Sequence, residues 1–385
     1  MTTSMEHWLA DSGARFEAAR LGLVCNPASI NSERRHSAEL LRQAVGDRLT
    51  CLIAPEHGFL GVAGPGEAVA DGVHPEWQIP VYSQYNATPE TWQAIARRVD
   101  WVLFDLQDLG VTCYTYVHTL RQVLEAGARE AFGVVVLDRP VPFAATLDGP
   151  MREEAFASVV APIPAPFLYG MTPGEAARWL VQELNLPVEL QVVPVPDWTR
   201  HAVDAAQWPE WVAPSPAIRS WACAACFPAT VFTEALPQID CARATTMAFQ
   251  QISATGMNPE ALLEGVTAHA LPGIAFAVAA GDRAADGDRP ALILRVTDML
   301  GYRPALTALT VIYELQRIGG RDWLWQAPEA RPEWFDRLFG TDRVRQQLMD
   351  EVPPDMIAAE WLPTRSAFEQ QRSGALLYPL SKRPA

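Results

Sequence analysis

The chain has 385 residues, of which 49% are hydrophobic and 19% are charged. This length suggests two domains, and the apolar content is sufficient for a large buried core, which excludes disorder as the main state. The formal net charge is −15 and the sequence pI is about 4.9. Because so acidic a surface repels phosphate backbones and anionic lipids, we expect no nucleic-acid partner.

The sequence contains no apolar run of the roughly 18 residues that are needed to cross a bilayer, so no membrane association is expected. Residues 1–10 lack the basic and apolar regions of a secretory signal, which predicts a cytoplasmic location. Two of the six cysteines, Cys25 and Cys51, lie in apolar strand-like runs. This placement favours reduced core thiols over a disulfide framework.

Short apolar runs alternate with helical patterns between residues 22 and 195. The predicted strands cover residues 22–25, 52–54, 81–83, 101–104, 134–137 and 190–193. The predicted helices cover residues 38–45, 89–99, 116–128 and 172–184. Continuous apolar runs are typical of strands covered by helices on both faces. The alternation therefore predicts an α/β fold with a Rossmann-like, mostly parallel sheet.

The start of the last of these helices has a clear capping pattern. Thr172 can cap the first turn, Pro173 occupies the first helical position, and Glu175 completes a capping box. We therefore expect the helix to begin at this point.

The composition changes after Val195, where prolines are interspersed with Trp198, Trp208, Trp211 and Trp221. Such a density of proline favours an extended, irregular crossing. The sequence thus predicts a Rossmann-like catalytic domain over residues 1–220 and a smaller α+β domain over residues 221–385. In the second domain, the patterns predict helices over 259–268 and 304–316 and a strand over 291–296.

Polar side chains follow three of the predicted strands directly. In chain order they are Glu56 and His57, then Asp105, Gln107 and Asp108, then Asp138 and Arg139. The carboxyl ends of parallel strands meet at one edge of the sheet, where ligands bind in such folds. We therefore expect these side chains to share one hollow.

Each of these residues alone also has a structural explanation. Glu56 could be a turn acid, Asp105 a helix N-cap, and Asp138 with Arg139 an ion pair. Together, however, clustered carboxylates beside an apolar wall raise one another's pKa, which suits an acid that delivers a proton to a leaving oxygen.

Signals for a metal or cofactor are weak. Cys223 and Cys226 have zinc or redox spacing, but no second pair follows. His57 and His118, with Asp105, could bind a metal, although a histidine beside strands is more often part of the hydrogen-bonded structure. The sequence has neither a dinucleotide fingerprint nor a Walker A motif. We therefore expect no metal and no cofactor.

Several motifs occur in order along the chain: Pro55–Gly58, Phe104–Asp108 with Gly110, Tyr114–Tyr116, Leu137–Pro140 and Gly170–Glu175. In this order they resemble the motifs of the DUF1343 family, whose characterised members are exo-β-N-acetylmuramidases of the NamZ type. The resemblance extends from Asn26 to Tyr378. It implies a cleft between a Rossmann-like catalytic domain and a smaller C-terminal domain. That cleft would take a terminal N-acetylmuramic acid from cell-wall fragments.

The resemblance maps the candidate catalytic acid of the family onto Glu56. We expect Asp105 and Asp108 to stabilise charge or activate water, because glycoside hydrolysis passes through an oxocarbenium-like centre. Tyr114 and Tyr116 lie two residues apart. Such a spacing more often marks one face of a strand, but these two side chains could line a pocket. The expected substrate-binding residues are His57, Gln107, Tyr114, Tyr116, Asp138, Arg139, Glu234 and Arg243. Of these, Gln107 and Arg139 would orient the sugar or its lactyl carboxylate.

The chain departs from the family pattern at expected sugar contacts. Val141 and Ala217 replace two asparagines of the family, and glycines near Glu234 and Arg243 are missing. The lost amides would remove hydrogen-bond donors from a sugar pocket. The sequence therefore leaves open both the identity of the ligand and whether the chain is catalytically active.

Two functional hypotheses remain. The first is a glycosidase that acts on N-acetylmuramic acid termini of peptidoglycan fragments during cytoplasmic recycling. The second is a paralogue that only binds a sugar or another small molecule in the same cleft. Both have a small-molecule partner, and the sequence leaves the oligomeric state open. Retention or inversion of configuration depends on the separation of the carboxylates.

Overall fold

A computed structural model describes residues 2–11, 16, 18–200, 211–281 and 289–379. Its strands are β1 (Leu21–Val24), β2 (Leu49–Ala54), β3 (Gly72–Val73), β4 (Pro80–Ser83), β5 (Trp101–Phe104), β6 (Gly133–Leu137), β7 (Leu147–Met151), β8 (Pro166–Tyr169), β9 (Leu190–Val193), β10 (Ile239–Asp240), β11 (Gln251–Ala254), β12 (Ile274–Gly281) and β13 (Arg289–Val296).

The α-helices are α1 (Ser4–Asp11), α2 (Ser37–Val45), α3 (Pro89–Ala96), α4 (Tyr116–Glu130), α5 (Pro173–Glu183), α6 (Trp221–Thr230), α7 (Pro259–Ala268), α8 (Pro304–Gly319), α9 (Arg321–Trp325), α10 (Pro332–Phe339), α11 (Arg343–Met349), α12 (Pro354–Ala359) and α13 (Leu362–Arg372). None of these helices has both the length and the apolar character required to span a bilayer.

Seven of the described strands form one sheet in the order β3-β4-β2-β1-β5-β6-β9. The short β3 runs antiparallel to β4, whereas the other neighbours pair in parallel. Numbered along the chain, the six parallel strands have the order 3-2-1-4-5-6, which is that of a doubly wound sheet. All six strands predicted between residues 22 and 195 belong to it, so the predicted Rossmann-like sheet is confirmed.

The strand register brings several strand ends level with one another. Val24 pairs with Ile53 on one side and with Phe104 on the other, and Phe104 pairs with Val136. The residues that follow β2, β5 and β6 therefore emerge along the same edge of the sheet. The order of the strands reverses between β1 and β5, which is where ligands bind in folds of this kind.

Helices cover both faces of the sheet, as the continuous apolar strands require. Along β5, Val102 and Phe104 pack into one hydrophobic cluster and Leu103 packs into another on the opposite face. The first cluster includes residues of α3, α4 and α5, and the second includes residues of α1 and α2. The first cluster also continues into α6 and α8, so the sheet and the C-terminal part share one core.

Helix α5 begins as the capping pattern predicted. The Thr172 side chain accepts a hydrogen bond from the backbone N–H of Glu175, and the Glu175 side chain accepts one from the backbone N–H of Thr172. Pro173 is the first residue of the helix. The reciprocal bonds satisfy two backbone donors that no helical turn could satisfy.

The C-terminal domain contains a smaller, antiparallel sheet in the order β10-β11-β13-β12. The predicted helices over 259–268 and 304–316 correspond to α7 and α8, and the predicted strand over 291–296 lies within β13. The other elements of this domain were not predicted, and many of them are short: β10 has two residues, β11 has four, and α9 to α12 have eight or fewer.

Part of the Pro- and Trp-rich crossing, including Trp208 and Pro209, falls on residues 201–210, which lie outside the described residues. The end of the crossing is helical, because α6 begins at Trp221 and is capped by the Ser220 side chain. The domain boundary predicted at residue 220 stays a prediction.

Candidate active site

The turn after β2 fixes the direction of the Glu56 side chain. The backbone N–H of Gly58 donates to the Pro55 carbonyl at 3.0 Å. His57 and Gly58 have φ angles of 72° and 78°, in the left-handed region. Such a conformation costs a residue other than glycine about 1–3 kcal/mol, so the surrounding contacts must hold His57 in place. The turn thus places Glu56 and His57 directly beyond the end of the strand.

Both carboxylate oxygens of Glu56 accept hydrogen bonds from the protein. Oε1 accepts from the backbone N–H of Gly66 at 2.7 Å, and Oε2 accepts from the Thr115 hydroxyl at 2.6 Å. The Tyr85 hydroxyl lies near this carboxylate, and burial together with the Glu56 charge raises the pKa of Tyr85. Glu56 is 8% exposed. Its carboxylate is therefore held in one orientation while it still reaches a cavity.

That cavity has a volume of about 290 Å³ and is lined by both domains. The first part of the chain contributes Glu56, His57, Tyr85, Thr115 and two further tyrosines, Tyr114 and Tyr116. The C-terminal part contributes Phe227, Glu234, Arg243, Phe249, Arg331 and Trp334. Aromatic walls with a few convergent polar groups are typical of small-molecule sites. We refer to this cavity as the Glu56 pocket.

Two arginines bring positive charge to the Glu56 pocket. Arg243 forms an ion pair with Glu234 at 2.6 Å, and its guanidinium lies 5.7 Å from the centre of the Phe249 ring. Arg331 donates to the backbone carbonyl of Glu234 and lies over the ring of Trp334. Among the described residues, Arg331 has no carboxylate partner. It is therefore the arginine of the pocket that is available to an anionic ligand.

The two tyrosines differ in how their hydroxyls are used. The Tyr116 hydroxyl accepts from the Asn26 amide at 2.8 Å and donates to the Pro214 carbonyl. The buried Tyr114 hydroxyl lies near Ser215 but has no partner of good geometry among the described residues. Burial raises the pKa of both tyrosines well above 10. Tyr114 therefore lines the pocket with a neutral hydroxyl that no bond of good geometry fixes among the described residues, whereas Tyr116 is fixed by the protein.

The His57 ring also lines the Glu56 pocket. Its Nδ1 lies 2.8 Å from the Ala63 carbonyl oxygen. A carbonyl can only accept, so Nδ1 carries the proton. In the neutral ring Nε2 is then an acceptor, which suits a bond from a sugar hydroxyl.

Asp105 lies outside this pocket and has other partners. It forms a two-pronged pair with Arg139, at 2.5 Å to Nε and 3.0 Å to Nη2. It also accepts from the Ser37 hydroxyl. The Asp105 and Arg139 side chains are 2% and 12% exposed. Both line a separate, smaller cavity of about 80 Å³. Arg139 therefore forms an ion pair, but with Asp105 and not with Asp138 as the structural alternative had it, and it is not directed at the Glu56 pocket.

Asp108 is buried in the loop that follows β5. Its Oδ1 accepts from the backbone N–H groups of Leu109 and Gly110, at 2.5 Å and 2.8 Å. Burial raises its pKa to about 7. Gln107 donates to the backbone carbonyls of Asp108 and Pro140, at 3.0 Å and 2.8 Å. Neither side chain lines the Glu56 pocket.

Asp138 is used to hold the start of α5. Its carboxylate accepts from the Thr172 hydroxyl and the Gly174 backbone, both at 2.7 Å, and from the Tyr378 hydroxyl at 2.6 Å. A Cβ at Gly174 would approach the Asp138 carboxyl carbon to 2.8 Å, so glycine is required there. Burial raises the pKa of Asp138 to about 6.

The predicted residues therefore divide into two sets. The Glu56 pocket brings together Glu56, His57, Tyr114, Tyr116, Glu234 and Arg243. It does not include Asp105, Gln107, Asp108, Asp138 or Arg139. The single hollow expected from the sequence is therefore not formed by all of these residues, and the roles predicted for the second set stay predictions.

Several residues of the pocket were not predicted from the sequence, and four of them carry polar or aromatic groups of interest, namely Tyr85, Thr115, Arg331 and Trp334. Thr115 lies between the two tyrosines of a quoted motif, which was the available signal. Tyr85 follows β4, a strand that no motif marked. Arg331 and Trp334 precede and begin α10, a short helix that was not predicted. Of the two lost asparagines, the position of Ala217 lines the pocket, whereas Val141 is fully buried.

The described residues contain no group of three or more His, Cys, Asp or Glu side chains that could hold a metal ion. Cys223 and Cys226 lie buried within α6, and all six cysteines are unpaired thiols. His118 is mostly buried, and burial lowers its pKa to about 4.

Comparisons with known proteins agree along the whole chain. Residues 21–222 match the family model described as exo-β-N-acetylmuramidase NamZ, N-terminal, and residues 225–378 match its C-terminal counterpart. The chain is 30% identical over 382 residues to the peptidoglycan β-N-acetylmuramidase NamZ of Bacillus subtilis (strain 168). That match covers 98% of this chain and 91% of the relative.

Two crystal structures of DUF1343 family proteins from Bacteroides fragilis NCTC 9343 have the same fold. One superposes with a TM-score of 0.89 at 24% identity and covers 98% of this chain and 99% of the other. The second has a TM-score of 0.74 at 22% identity and covers 98% of both chains. On these matches, the chain belongs to the exo-β-N-acetylmuramidase NamZ family.

Proposed function

We propose that this protein is a glycoside hydrolase that removes terminal N-acetylmuramic acid, or a closely related sugar, from peptidoglycan fragments. The observation that carries the proposal is the oriented carboxyl of Glu56 on the wall of the Glu56 pocket. The family, and the relative named for this activity, support the same reaction.

Hydrolysis of a glycoside requires a proton on the leaving oxygen and stabilisation of a positively charged sugar ring. Glu56 supplies the proton, because its carboxyl reaches the cavity and is held there by Gly66 and Thr115. Glu234 is a second carboxylate in the same pocket, but its ion pair with Arg243 favours a role in positioning the substrate. The neutral hydroxyl of Tyr114 and the Nε2 of His57 bind sugar oxygens.

N-acetylmuramic acid differs from N-acetylglucosamine by a lactyl group with a carboxylate. The sequence had assigned this carboxylate to Arg139, which the structure pairs with Asp105 instead. We assign it to Arg331, whose guanidinium lies in the pocket without a carboxylate partner among the described residues. A planar guanidinium matches a carboxylate with two parallel hydrogen bonds.

The test compares aryl β-glycosides of N-acetylmuramic acid and N-acetylglucosamine as substrates. We expect the wild type to prefer the muramic acid derivative. Arg331→Gln should reduce that preference about tenfold or more, because a charged hydrogen bond is lost. The exposed Arg337 provides a matched control, and Arg337→Gln should keep the preference. Failure of the wild type to hydrolyse either glycoside would contradict the proposal.

The second hypothesis, a protein that only binds a sugar, is favoured by one observation. Ala217 lines the pocket where the family pattern has an asparagine, so an amide contact to the sugar is missing. Sugar binding that is equal in the wild type and in Glu56→Gln, together with absence of turnover, would support this alternative over hydrolysis.

A further inference from the structure

A second cavity lies away from the Glu56 pocket and shares no lining residue with it. It has a volume of about 330 Å³ and lies between the segment before β7, the turn after β13 and helix α13. Its lining includes Arg303, Arg365 and Arg372, with Glu369 as its one carboxylate among the described lining residues. Three guanidinium groups are concentrated here in a chain whose formal net charge is −15. We refer to this cavity as the arginine pocket.

The first of these arginines is already neutralised. Arg303 Nη2 donates to Asp148 Oδ1 at 2.8 Å. The other carboxylate oxygen of Asp148 accepts from the backbone N–H of Ala305 at 2.9 Å. Asp148 is fully buried and does not line the cavity. The Asp148 carboxylate therefore pairs with Arg303 and accepts a hydrogen bond from the first turn of α8.

Neither of the other two arginines forms a hydrogen bond with a carboxylate among the described residues. Arg365 Nη1 lies 3.6 Å from Asp148 Oδ1, too far for a hydrogen bond, and neither its Nε nor its Nη1 has a partner among the described residues. Arg372 is 2% exposed and donates to the Gly170 carbonyl, but its Nε has no partner there either. Burial lowers the pKa of both side chains, to about 10 for Arg372.

A buried positive charge is costly unless it is paired and hydrogen-bonded, and the Asp148 oxygen nearest Arg365 is already bonded to Arg303. The remaining carboxylate, Glu369, lies on the exposed side of α13. Asp148 and Glu369 together offset only part of the charge of the three arginines, so the cavity stays positive among the described residues. A guanidinium fork is suited to phosphate and carboxylate groups.

We propose that the arginine pocket binds the oxyanion group of a small molecule, either a phosphate ester or a carboxylate. Arg365 and Arg372 supply the charge, and Ser366 offers a hydroxyl at the exposed rim. The volume is within the range of small-ligand sites and exceeds the need of a single inorganic ion. The site is independent of the Glu56 pocket and of the reaction proposed there.

Calorimetric titration of the full chain at constant ionic strength tests this proposal. Glycerol 3-phosphate represents a phosphate ester, and succinate represents a carboxylate. We expect one of them to bind the wild type, and the one that binds more tightly identifies the source of the oxyanion. Glu56→Gln should bind it unchanged.

Arg365→Gln removes charge but no hydrogen bond formed within the described residues, so the fold should be kept. It should weaken binding about tenfold or more. Arg343→Gln is the control, because this side chain is 75% exposed and lies outside the pocket. Ser366→Glu places a negative charge at the rim and should also abolish binding. The proposal is overturned if neither probe binds, or if Arg365→Gln and Ser366→Glu bind as tightly as the wild type.

Discussion

Two groups of acidic residues leave the same edge of the sheet but have different surroundings. Glu56 reaches a cavity lined by both domains. Asp105, Asp108 and Asp138 lie beside it in the fold, yet their oxygens are occupied by an arginine, by backbone N–H groups and by hydroxyls. The strand register delivers both groups to one place. The different roles that we propose for the two groups rest on the hydrogen-bond partners of each carboxylate and on its access to open space.

The largest expected effect concerns Glu56, the carboxylate that we propose as the catalytic acid. Glu56→Gln keeps the shape of the side chain but removes the proton, so kcat should fall about 10²- to 10⁴-fold. Thermal stability should change little. Release of nitrophenol from the β-N-acetylmuramide gives the rate, and Glu76→Gln, at an exposed position, is the control. A variant with full activity would exclude Glu56 as the acid.

For Asp105, in contrast, we predict that its loss lowers the stability of the fold. Asp105→Ala leaves the guanidinium of Arg139 buried without its partner, which typically costs about 3–5 kcal/mol. Urea unfolding measures the change. The control is Asp47→Ala, which removes a pair with Arg42 whose aspartate side chain is 98% exposed and should have little effect. Unchanged stability with lost hydrolysis would move Asp105 to the catalytic group.

The pH dependence of stability sharpens the role of Asp108. Burial raises its pKa from 3.8 to about 7, so between these values the folded chain keeps a proton that the unfolded chain releases. The associated stabilisation is fully present below pH 3.8 and is lost as the pH rises towards 7. Asp108→Asn cannot ionise and should gain stability relative to the wild type over this window.

Urea unfolding at pH 4.5, 5.5 and 7 checks this expectation. The exposed Asp355 provides the control variant Asp355→Asn, which should follow the wild type. A constant difference between Asp108→Asn and the wild type at all three pH values would contradict the raised pKa.

The smallest effect concerns the two tyrosines of the pocket. Tyr114→Phe removes a hydroxyl without a protein partner, so stability should stay nearly constant while KM rises several-fold. Tyr116→Phe removes bonds to Asn26 and Pro214 and should cost about 0.5–1.5 kcal/mol per bond. The opposite pattern would mean that Tyr116 is the residue that contacts the sugar.

Much of the fold followed from local pattern. Continuous apolar strands, alternating helices and the capping box at Thr172 predicted the doubly wound sheet and the start of α5. The C-terminal elements were harder, because β10 and β11 are short and α10 to α12 span eight residues or fewer. In such elements, long-range packing decides the structure more than local pattern does.

The location of the candidate site could be predicted from the sequence, but the set of residues that form it could not. Residues after parallel strands converge by topology, which correctly placed Glu56 at the sheet edge. Whether Asp105 faces a cavity or Arg139 depends on side-chain directions that no spacing encodes. Arg331 and Trp334 reach the pocket from a distant part of the chain, so no pattern close to Glu56 in the sequence predicts their presence there.

The last described residues of the chain reach back to the first domain. The Tyr378 hydroxyl donates to Asp138 and accepts from the backbone N–H of Val195, while the backbone of Leu377 donates to Glu175. These hydrogen bonds therefore tie the C-terminal segment to the domain that carries Glu56. A fragment cut near residue 220 would lose these contacts as well as the part of the pocket that the C-terminal domain lines, so we expect neither domain to function alone.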